Sequence, residues 1–436
     1  MSSSLLARPE SVRVRHTRDR FAVLVGRAVS GYHLRTGRPG GSFAGGRAAL
    51  RISPRVLSSL AGQFTVTLVS GTNGKTTTTR LAAEALATSA GVVSNSLGAN
   101  LPDGITTALL SAGSEVEHAV LEVDERHLPR AVLETDPSLV ILLNLSRDQL
   151  DRNPECRMTA ESWTTALAGT RATVVANADD PWIVWACRNA RRVVWVSVRQ
   201  RWTEDSWVCP ACGNRLVREG ESSWNCTHCT LSRPSPRWTL DNGRAVDSRS
   251  GTAHLLSLRL PGRINEANAT MALAAARIHG VPAGRALSGM ADVGSVSGRY
   301  EDFQYQGRRV RLLLAKNPAS WLETMDVLMD SPRVLFSLNA RELDGLDTSW
   351  LWDVDFSGLR NRSVFVTGER RYDIATRLYY EQVPFQMVDS LAAACVRDEA
   401  TDVGDRLDVV ANYTAFLSAI RTVRSTGPRS VETGRR

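Results

Sequence analysis

The chain has 436 residues, of which 43% are hydrophobic and 22% charged, and its net charge is +8. This composition is ordinary for a globular protein, and the length allows two or three domains. No apolar run approaches the ~20 residues of a membrane span, and "FAVLVGRAVSG" is broken by Arg27 and lacks a small-residue cleavage site. We therefore predict no transmembrane segment, no signal peptide and a cytoplasmic location.

The first 57 residues form a basic N-terminal segment. They carry 11 arginines against Glu10 and Asp19, a local charge of 11 − 2 = +9. Such a segment indicates an anionic neighbour, such as lipid headgroups, a pyrophosphate-bearing substrate or nucleic acid, and a solvated arm accounts for it equally well. Within it, "RTGRPGGSFAGGR" (35–47) predicts a flexible loop.

From residue 64 the pattern alternates between apolar strands and helices. The expected strands are "FTVTLV" (64–69), "AVLEV" (119–123), "SLVILLNL" (138–145) and "ATVVA" (172–176), and a helix is expected from about Lys75 to Ala90. Continuous apolar strands between helices predict an α/β domain with a buried, mainly parallel sheet. An insert at 200–245 interrupts this pattern, and a helix returns at 260–280.

A second alternating pattern begins near residue 300. Its expected strands are "RVRLLLA", "RVLFSL", "SVFVTG", "PFQMV" and "LDVVAN", which predict a smaller, Rossmann-like α/β domain. The predicted organisation is a segment at 1–57, a central domain at 58–297 with a ribbon insert at 205–233, a C-terminal domain at 298–424 and a disordered tail at 425–436.

"VSGTNGKTTTTR" (69–80) has the composition of a phosphate-binding loop between a strand and a helix. Its glycines let backbone N–H groups close around phosphate oxygens, and the helix N-terminus favours an anion. Lys75 would reach the β- and γ-phosphates and Thr76 would hold Mg²⁺. Only two of the 53 basic residues are lysines, Lys75 and Lys316, so a lysine here suggests a need for a compact ammonium.

A carboxylate for Mg²⁺ is expected at the end of a neighbouring strand. "AVLEVDE" (119–125) offers Glu122, Asp124 and Glu125, and we select Glu122, because hard cations prefer carboxylate oxygen.

Four of the seven cysteines form a C-x2-C-x13-C-x2-C pattern: Cys209, Cys212, Cys226 and Cys229. This spacing predicts a zinc ribbon with one tetrahedral Zn²⁺ held by four thiolates. Four protein ligands leave no open position, so the zinc would be structural. A ribbon alone can also bind nucleic acid, and that class stays open here.

The loop "GTNGKTTT" (71–78) resembles the ATP loop of the Mur ligases, the ATP-dependent ligases of cell-wall precursor synthesis. Five further segments follow in that family's order: "NSLGAN" (95–100), "NLSRDQLDR" (144–152), "ANADDP" (176–181), "GRINEANA" (262–269) and "GRYE" (298–301). The resemblance implies ATP and Mg²⁺ as cofactors. It assigns nucleotide contacts to Gly71, Thr72, Asn73, Gly74, Lys75, Thr76, Thr77, Asn144, Asn177, Asp180, Asn265, Asn268 and Arg299.

Two departures from the Mur pattern concern a second Mg²⁺. The family's usual His in N-x-x-x-D-H-x-D-R is Gln149, and the chain has no lysine for the carbamylated lysine of typical members. Partial compensation by Asp148 and Asp151 is our hypothesis.

A ribbon inserted in a Mur-type ATPase domain resembles the MurT family, one half of the lipid II isoglutaminyl synthases, whose other half is the glutaminase GatD. "LLLAKNPASW" (312–321), "DGLDTSWLWDVDF" (344–356), "VTGER" (366–370) and "ANYTA" (411–415) resemble that family's C-terminal segments.

This resemblance implies ATP-dependent amidation of the α-carboxylate of D-glutamate in lipid II, through an acyl phosphate. It implies a heterodimer with a GatD-like glutaminase that supplies ammonia, work at the inner face of the membrane and no nucleic-acid partner. Glu122, Lys316 and Asp347 are the expected catalytic residues. Asp347 would be the third member of the partner's Cys-His-Asp triad.

Two other functions stay open at this point. One is a conventional Mur-type or folylpolyglutamate-type ligase that adds an amino acid without a partner. The other is a zinc-ribbon ATPase that binds nucleic acid, although Arg215 and Arg218 lie beside Glu219 and Glu221, so the ribbon is not notably basic.

Overall fold

The computed structural model describes residues 16–36, 40–95, 98–148, 155–220, 223–296, 299–395 and 406–426. The chain divides into two compact units. Unit one comprises Met1–Ser146, Glu155–Arg259 and Ile264–Gly294, and unit two comprises Arg147–Pro154, Leu260–Arg263 and Ser295–Arg436. Gln149, Asp151, Gly298 and residues 427–436 of the expected tail lie outside the described residues. The predicted domain boundaries stay predictions.

The helices up to residue 291 are, in chain order, α1 Thr17–Thr36, α2 Gly41–Ile52, α3 Val56–Ala61, α4 Lys75–Ala87, α5 Pro102–Ser111, α6 Leu128–Thr135, α7 Cys156–Gly169, α8 Pro181–Ala186, α9 Arg263–Ile278 and α10 Ala283–Ala291. The strands are β1 Thr65–Ser70, β2 Gly91–Ser94, β3 Val116–Glu122, β4 Leu139–Leu142, β5 Thr173–Asn177, β6 Val193–Ser197, β7 Leu216–Arg218, β8 Trp224–Cys226, β9 Trp238–Asp241, β10 Arg244–Asp247 and β11 Thr252–Leu255.

Unit one is built on a nine-stranded sheet with the order β11-β10-β9-β6-β5-β4-β1-β3-β2. Strands β1 to β6 run parallel, β9 joins β6 in parallel, and β10 and β11 add an antiparallel edge. The predicted strands at β1, β3, β4 and β5 are confirmed. Their apolar runs are continuous because helices cover both faces of a parallel sheet.

The centre of this sheet has a topological switch point at β1. The chain reaches β2 and β3 on one side of β1 and then crosses to β4 on its other side. Loops at the carboxyl ends of strands diverge at such a point and leave a crevice for ligands. The loop after β1, the end of β3 and the residues after β4 therefore share one edge of the sheet.

The prediction of a flexible loop at 35–47 is wrong for most of that stretch, because α2 begins at Gly41. A Cβ on Gly45 would lie 1.9 Å from Ser30 Oγ, and a Cβ on Gly46 would lie 1.9 Å from the Asp103 carbonyl oxygen. These glycines allow α2 to approach α1 and α5 closely. The glycine-rich composition predicts a mobile backbone, whereas the structure uses the missing side chains for packing.

The insert holds a small antiparallel pair, β7 and β8. Its apolar cluster combines Cys209, Leu216, Trp224 and Cys226 with Val184 of α8. The insert is thus packed on α8.

Unit two carries a six-stranded sheet with the order β12-β13-β17-β14-β15-β16. Its elements are β12 Tyr300–Tyr305, β13 Arg308–Leu314, α11 Pro318–Leu328, β14 Arg333–Ser337, β15 Ser363–Thr367, α12 Arg371–Tyr380, β16 Gln386–Met387, α13 Leu391–Cys395, β17 Arg406–Ala411 and α14 Tyr413–Thr426, with 3₁₀ helices at Ser349–Asp353 and Ser357–Leu359. All five predicted strands are present. The antiparallel β12 was not predicted, and α14 extends two residues into the expected tail.

The structure contains no helix, in the parts it describes, that is both long and apolar enough to cross a membrane.

Candidate functional site

The loop between β1 and α4 requires glycine at two positions. Gly71 has a φ of +142° and Gly74 a φ of +87°, both in the region that side chains rarely adopt. A Cβ on Gly71 would lie 2.9 Å from Leu143 Cβ, and one on Gly74 would lie 2.5 Å from Asn268 Oδ1. Helix α4 then begins at Lys75 with a glycine before it, so its N-terminal N–H groups have no side-chain cap at Gly74.

Asn144, one of the predicted nucleotide contacts, clamps this loop from the end of β4. Its Oδ1 accepts from the Asn73 N–H at 2.9 Å, and its Nδ2 donates to the Asn73 carbonyl at 3.1 Å. Its own carbonyl accepts from the Thr72 N–H at 2.9 Å. The amides of Thr72 and Asn73 therefore already have partners, which leaves the N–H groups at the N-terminus of α4 as the candidate donors to an anion. Sequence reasoning did not find this positioning role.

The Lys75 ammonium is held over the loop. Lys75 is 5% exposed, and its Nζ donates to the Gly71 carbonyl at 2.6 Å, to the Thr72 carbonyl at 3.3 Å and to Glu125 Oε2 at 3.0 Å. The place of Glu125 in "AVLEVDE" makes it a candidate metal ligand, and its pairing with Lys75 was not predicted. The pair keeps a compact positive charge beside the helix N-terminus.

Glu122 and Thr76 present buried oxygen atoms that suit a hard cation. Glu122 ends β3 in register with Val69 of β1, and its side chain is fully buried. Glu122 Oε2 and Thr76 Oγ1 are both buried without a hydrogen-bond partner among the described residues. Buried polar atoms normally have partners, so two such oxygens in this unit fit the ligand set expected for Mg²⁺.

Asn95 fixes the backbone of Glu122 from both sides. Its Oδ1 accepts from the Glu122 N–H at 2.7 Å, and its Nδ2 donates to the Glu122 carbonyl at 2.8 Å. These bonds fix the backbone of Glu122, and Asn100 Nδ2 donates to its carboxylate Oε1 at 3.3 Å.

The turn after β5 is buried, and the nucleotide contacts predicted for Asn177 and Asp180 stay predictions. Asp180 is 1% exposed; its Oδ1 caps α8 by accepting from the N–H groups of Trp182 and Ile183, and its Oδ2 accepts from the Leu145 N–H at 2.8 Å. Burial raises the pKa of Asp180 to about 6, against the lowering effect of these N–H donors. Asn177 is also 1% exposed and donates to Gln200 Oε1 at 2.6 Å.

A continuous set of contacts joins the cysteine-bearing insert to the phosphate loop. Trp224 Nε1 donates to the Ala178 carbonyl at 3.1 Å, and Arg233 pairs with Asp179 at 2.8 Å. Asp180, the next residue, holds Leu145, which adjoins the loop clamp at Asn144. The insert therefore contacts the turn after β5, and that turn holds the residues beside the phosphate loop.

Four further predicted nucleotide contacts have described surroundings. Asn268 on α9 is 6% exposed and accepts from Thr78 Oγ1 at 3.2 Å, so it lies against the first turns of α4. Asn265 lies half-buried one turn earlier on α9, and Thr77 is buried in the first turn of α4. Arg299 lies in unit two just before β12, where its carbonyl accepts from the Leu314 N–H. Their nucleotide contacts stay predictions.

The four cysteine sulfurs of the insert converge. All lie within 4.8 Å of one another, with Cys209 and Cys229 Sγ 3.6 Å apart and Cys212 and Cys226 Sγ 3.4 Å apart. Sulfurs that share one tetrahedral zinc with bonds of ~2.3 Å lie about 3.8 Å apart. The N–H groups of Cys229 and His228 each lie 3.4 Å from Cys226 Sγ and lower the pKa of that thiol to about 6. The donor set fits a four-thiolate metal centre.

Unit two has a polar cavity of about 270 Å³ that contains both of its predicted catalytic residues, Lys316 and Asp347. Lys316 follows β13, and its Nζ donates to Asp148 Oδ2 in a part-buried ion pair. The Asp148 carboxylate thus holds an ammonium, which competes with our hypothesis of metal binding there. Asp347 is exposed and accepts from the N–H and the hydroxyl of Ser349 at 2.8 Å each.

Two family models match the chain in its two parts. "Mur ligase middle domain" matches residues 69–276, and "MurT ligase C-terminal" matches residues 314–416. The MurT subunit of lipid II isoglutaminyl synthase (glutamine-hydrolyzing) from Streptococcus pneumoniae strain R6 is 30% identical over 429 residues, which cover 91% of this chain and 95% of that protein. The chain belongs to the MurT family.

Other comparisons agree with this family. The MurT subunit of the same synthase from Staphylococcus aureus strain N315 is 26% identical over 411 residues, covering 89% of this chain and 93% of that protein. The crystal structure of MurF from Acinetobacter baumannii, 18% identical, matches with a TM-score of 0.63 over 87% of this chain and 80% of that chain. The latter likeness shows a Mur-ligase-like α/β fold.

Proposed function

We propose that this chain is the ATP-dependent synthase subunit of a lipid II isoglutaminyl synthase. It amidates the α-carboxylate of D-glutamate in the lipid II stem peptide to D-isoglutamine through an acyl phosphate. The observation that carries the proposal is the 30% identity to a named MurT subunit over nearly the whole of both chains. The buried loop and acid of unit one support it independently, because they suit attack of a carboxylate on a triphosphate.

The residues of unit one neutralise charge on the transferring phosphoryl group. Lys75 exchanges its carbonyl and Glu125 partners for phosphate oxygens, and the N-terminus of α4 supplies N–H donors. Glu122 and Thr76 would hold the Mg²⁺ of MgATP, since each has a buried oxygen without a partner among the described residues. A bound Mg²⁺ would supply Lewis-acid stabilisation of the phosphate charge.

The nitrogen donor is proposed to come from a partner subunit that unit two contacts through Asp347. Ammonia from glutamine hydrolysis in a GatD-like partner attacks the acyl phosphate, so a carbon–nitrogen bond forms and phosphate leaves with the electrons of the carbon–oxygen bond. Asp347, exposed and fixed by Ser349, is proposed to orient the histidine of the partner's glutaminase triad. Lys316 is proposed to act in the ligase reaction, with Asp148 as its positioning residue.

The four-cysteine centre is proposed to hold one structural Zn²⁺. The sulfur spacing supports this, and four protein ligands leave no open position for catalysis. Lipid II as substrate places the enzyme's work at the inner face of the membrane in this proposal. The amino-acid ligase and nucleic-acid ATPase alternatives lose support, because the comparisons match a named MurT subunit along nearly the whole chain.

The decisive experiment separates the ammonia source from the ligase reaction. The purified chain, with and without a coexpressed glutaminase, is assayed for lipid II amidation with glutamine or with ammonium chloride. We expect glutamine-driven amidation only in the complex and ammonium-driven amidation in both. Activity of the chain alone with an amino acid, but not with ammonium, would refute the proposal.

Asp347→Asn tests the role of that residue in the partner's site. Glutamine-driven amidation should fall by about 10²-fold or more, because the partner's histidine loses its orienting carboxylate, while ammonium-driven amidation persists. Asp355→Asn is the matched control, since Asp355 is also exposed and also accepts from a serine N–H two residues later, at 2.8 Å. An equal loss of glutamine-driven amidation in both variants would mean that Asp347 only caps a turn.

A further inference from the structure

Helix α1 is apolar on two opposite faces. Its inner face buries Ala22, Val23 and Gly26, and a Cβ on Gly26 would lie 2.7 Å from Leu110 Cδ1 of α5. A helix at the surface of a protein in water normally carries polar residues on the opposite face. The outer face of α1 departs from this rule.

That outer face exposes three large apolar side chains. Phe21 is 58% exposed, Leu24 67% and Tyr32 49%. With 3.6 residues per turn, positions 21, 24, 28 and 32 share one narrow sector of the helix, and position 28 is an exposed alanine. The result is an apolar stripe three turns long. Isolated exposed apolar residues are common, but a continuous stripe marks an interaction surface.

The charged side chains that α1 itself exposes beside the stripe are arginines. Arg18, Arg20 and Arg35 of α1 are exposed. Asp19, the one acidic residue in the α1 sequence, is 4% exposed and accepts from the hydroxyls of Ser53 and Ser59 on the inner side. In the sequence that precedes α1, residues 1–15 add three arginines and one glutamate.

Side-chain hydrogen bonds hold α1 with the stripe facing outward. Besides the Asp19 contacts, Arg18 Nε donates to the Ile52 carbonyl at 2.6 Å and Arg27 Nε to the Leu110 carbonyl at 2.9 Å. These contacts tie α1 to α2 and α5. The stripe thus lies on the surface of unit one.

We propose that the outer face of α1 docks on an anionic lipid bilayer, with the helix lying in the plane of the surface. Aromatic and aliphatic side chains beside arginines are the composition of helices that bind the interface between headgroups and acyl chains. Anionic lipids attract the flanking arginines. Nucleic acid would be bound by the arginines alone and would leave Phe21 and Leu24 in water. The proposal depends on α1 and not on the amidation reaction.

The test is cosedimentation of the 436-residue chain with vesicles that contain neither lipid II nor nucleotide. Vesicles of phosphatidylcholine with one quarter phosphatidylglycerol should bind the chain, with binding weakened by salt, and pure phosphatidylcholine should bind it less. The double variant F21S/L24S should lower the partition coefficient by about tenfold or more. Arg20→Gln combined with Arg35→Gln should lower it on anionic vesicles only.

The matched control is Leu133→Ser on α6, since Leu133 is 84% exposed and lies in unit one outside α1; its binding should equal that of the wild type. F21S/L24S should amidate detergent-solubilised lipid II at the wild-type rate and lipid II in anionic vesicles more slowly. Equal vesicle binding by F21S/L24S and wild type overturns the proposal. The proposal is also overturned if the wild type is a dimer and F21S/L24S is a monomer, or if the wild type binds DNA and F21S/L24S does not.

Discussion

Glu122→Gln should change stability and metal response in opposite directions. The fully buried Glu122 side chain has one oxygen, Oε2, with no hydrogen-bond partner within the described ranges. An unsatisfied buried acceptor costs about 1–3 kcal/mol, and more when it is charged. Glutamine has nearly the same shape, and although its amide N–H groups would also lack a partner there, a buried neutral group costs less than a buried charge. Without metal, the free energy of unfolding should therefore be about 1 kcal/mol higher for the variant than for the wild type.

Magnesium nucleotide should reverse this order. A ligand at 100 times its dissociation constant stabilises the folded state by ~2.7 kcal/mol, and the wild type should gain about this amount from MgADP. The variant should gain much less, because the Mg²⁺ loses its carboxylate ligand. Amidation by the variant should be almost abolished.

The assay is equilibrium urea unfolding followed by tryptophan fluorescence, in EDTA and in saturating MgADP. Glu134→Gln is the control, because Glu134 also has an Oε2 buried without a partner in the part of the chain that the structure describes, but it lies on α6, where its Oε1 accepts from Arg130 at 2.8 Å. Its response to MgADP should equal that of the wild type. The assignment of Glu122 as a magnesium ligand is contradicted if Glu122→Gln is less stable than the wild type in EDTA, or if MgADP stabilises the variant as much as the wild type.

Three further changes have expected outcomes. Gly74→Ala should weaken ATP binding by more than tenfold and lower stability by about 1–3 kcal/mol, because its Cβ would meet Asn268 Oδ1 at 2.5 Å in a left-handed backbone; Gly169→Ala, with open space around its Cβ, is the control, and calorimetry is the measurement. Burial, with a lesser effect of a neighbouring histidine, lowers the pKa of His279 from 6.5 to about 4, so the unfolded chain binds the extra proton between these values. The free energy of unfolding should therefore be up to about 3 kcal/mol lower at pH 4 than above pH 6.5 because of this one group. In His279→Gln, the urea midpoint should depend less steeply on pH between these values. An unchanged pH dependence would contradict the assignment. Cys212→Ser should lower bound zinc from about one per chain towards none by atomic emission spectrometry, and zinc retained at the wild-type level would exclude Cys212 as a ligand.

Much of the central sheet and the loop could be predicted because local patterns determine them. The runs that became β1, β3 and β4 are continuous and apolar, and a glycine loop between a strand and a helix is typical of phosphate binding. Glu122 could be selected because the ends of parallel strands gather at one edge. Each of these inferences used only neighbours in sequence and the general geometry of parallel sheets.

The remaining features depend on contacts that no local pattern contains. The glycines of α2 are required by Ser30 and by the Asp103 carbonyl oxygen, so their meaning depends on helices elsewhere in the chain. The amide of Asn144 holds the backbone of Asn73, a role that no local pattern shows, while its nucleotide contact stays a prediction. The sequence is equally consistent with Glu125 as an ion-pair partner of Lys75 and with Glu125 as a metal ligand. The structure resolves such choices because it supplies the partner.

The scarcity of lysines also allows nucleotide binding to be followed by chemical modification of amines. Both ammonium groups are in ion pairs, with side chains 6% and 19% exposed for Lys75 and Lys316. Reagents that acylate amines will therefore find hardly any target on the surface beyond the chain's N-terminus, although 53 − 2 = 51 arginines keep it strongly cationic. Because Lys75 is buried in its ion pair with Glu125, a change in its reactivity when nucleotide is added reports directly on the phosphate loop, without an engineered label.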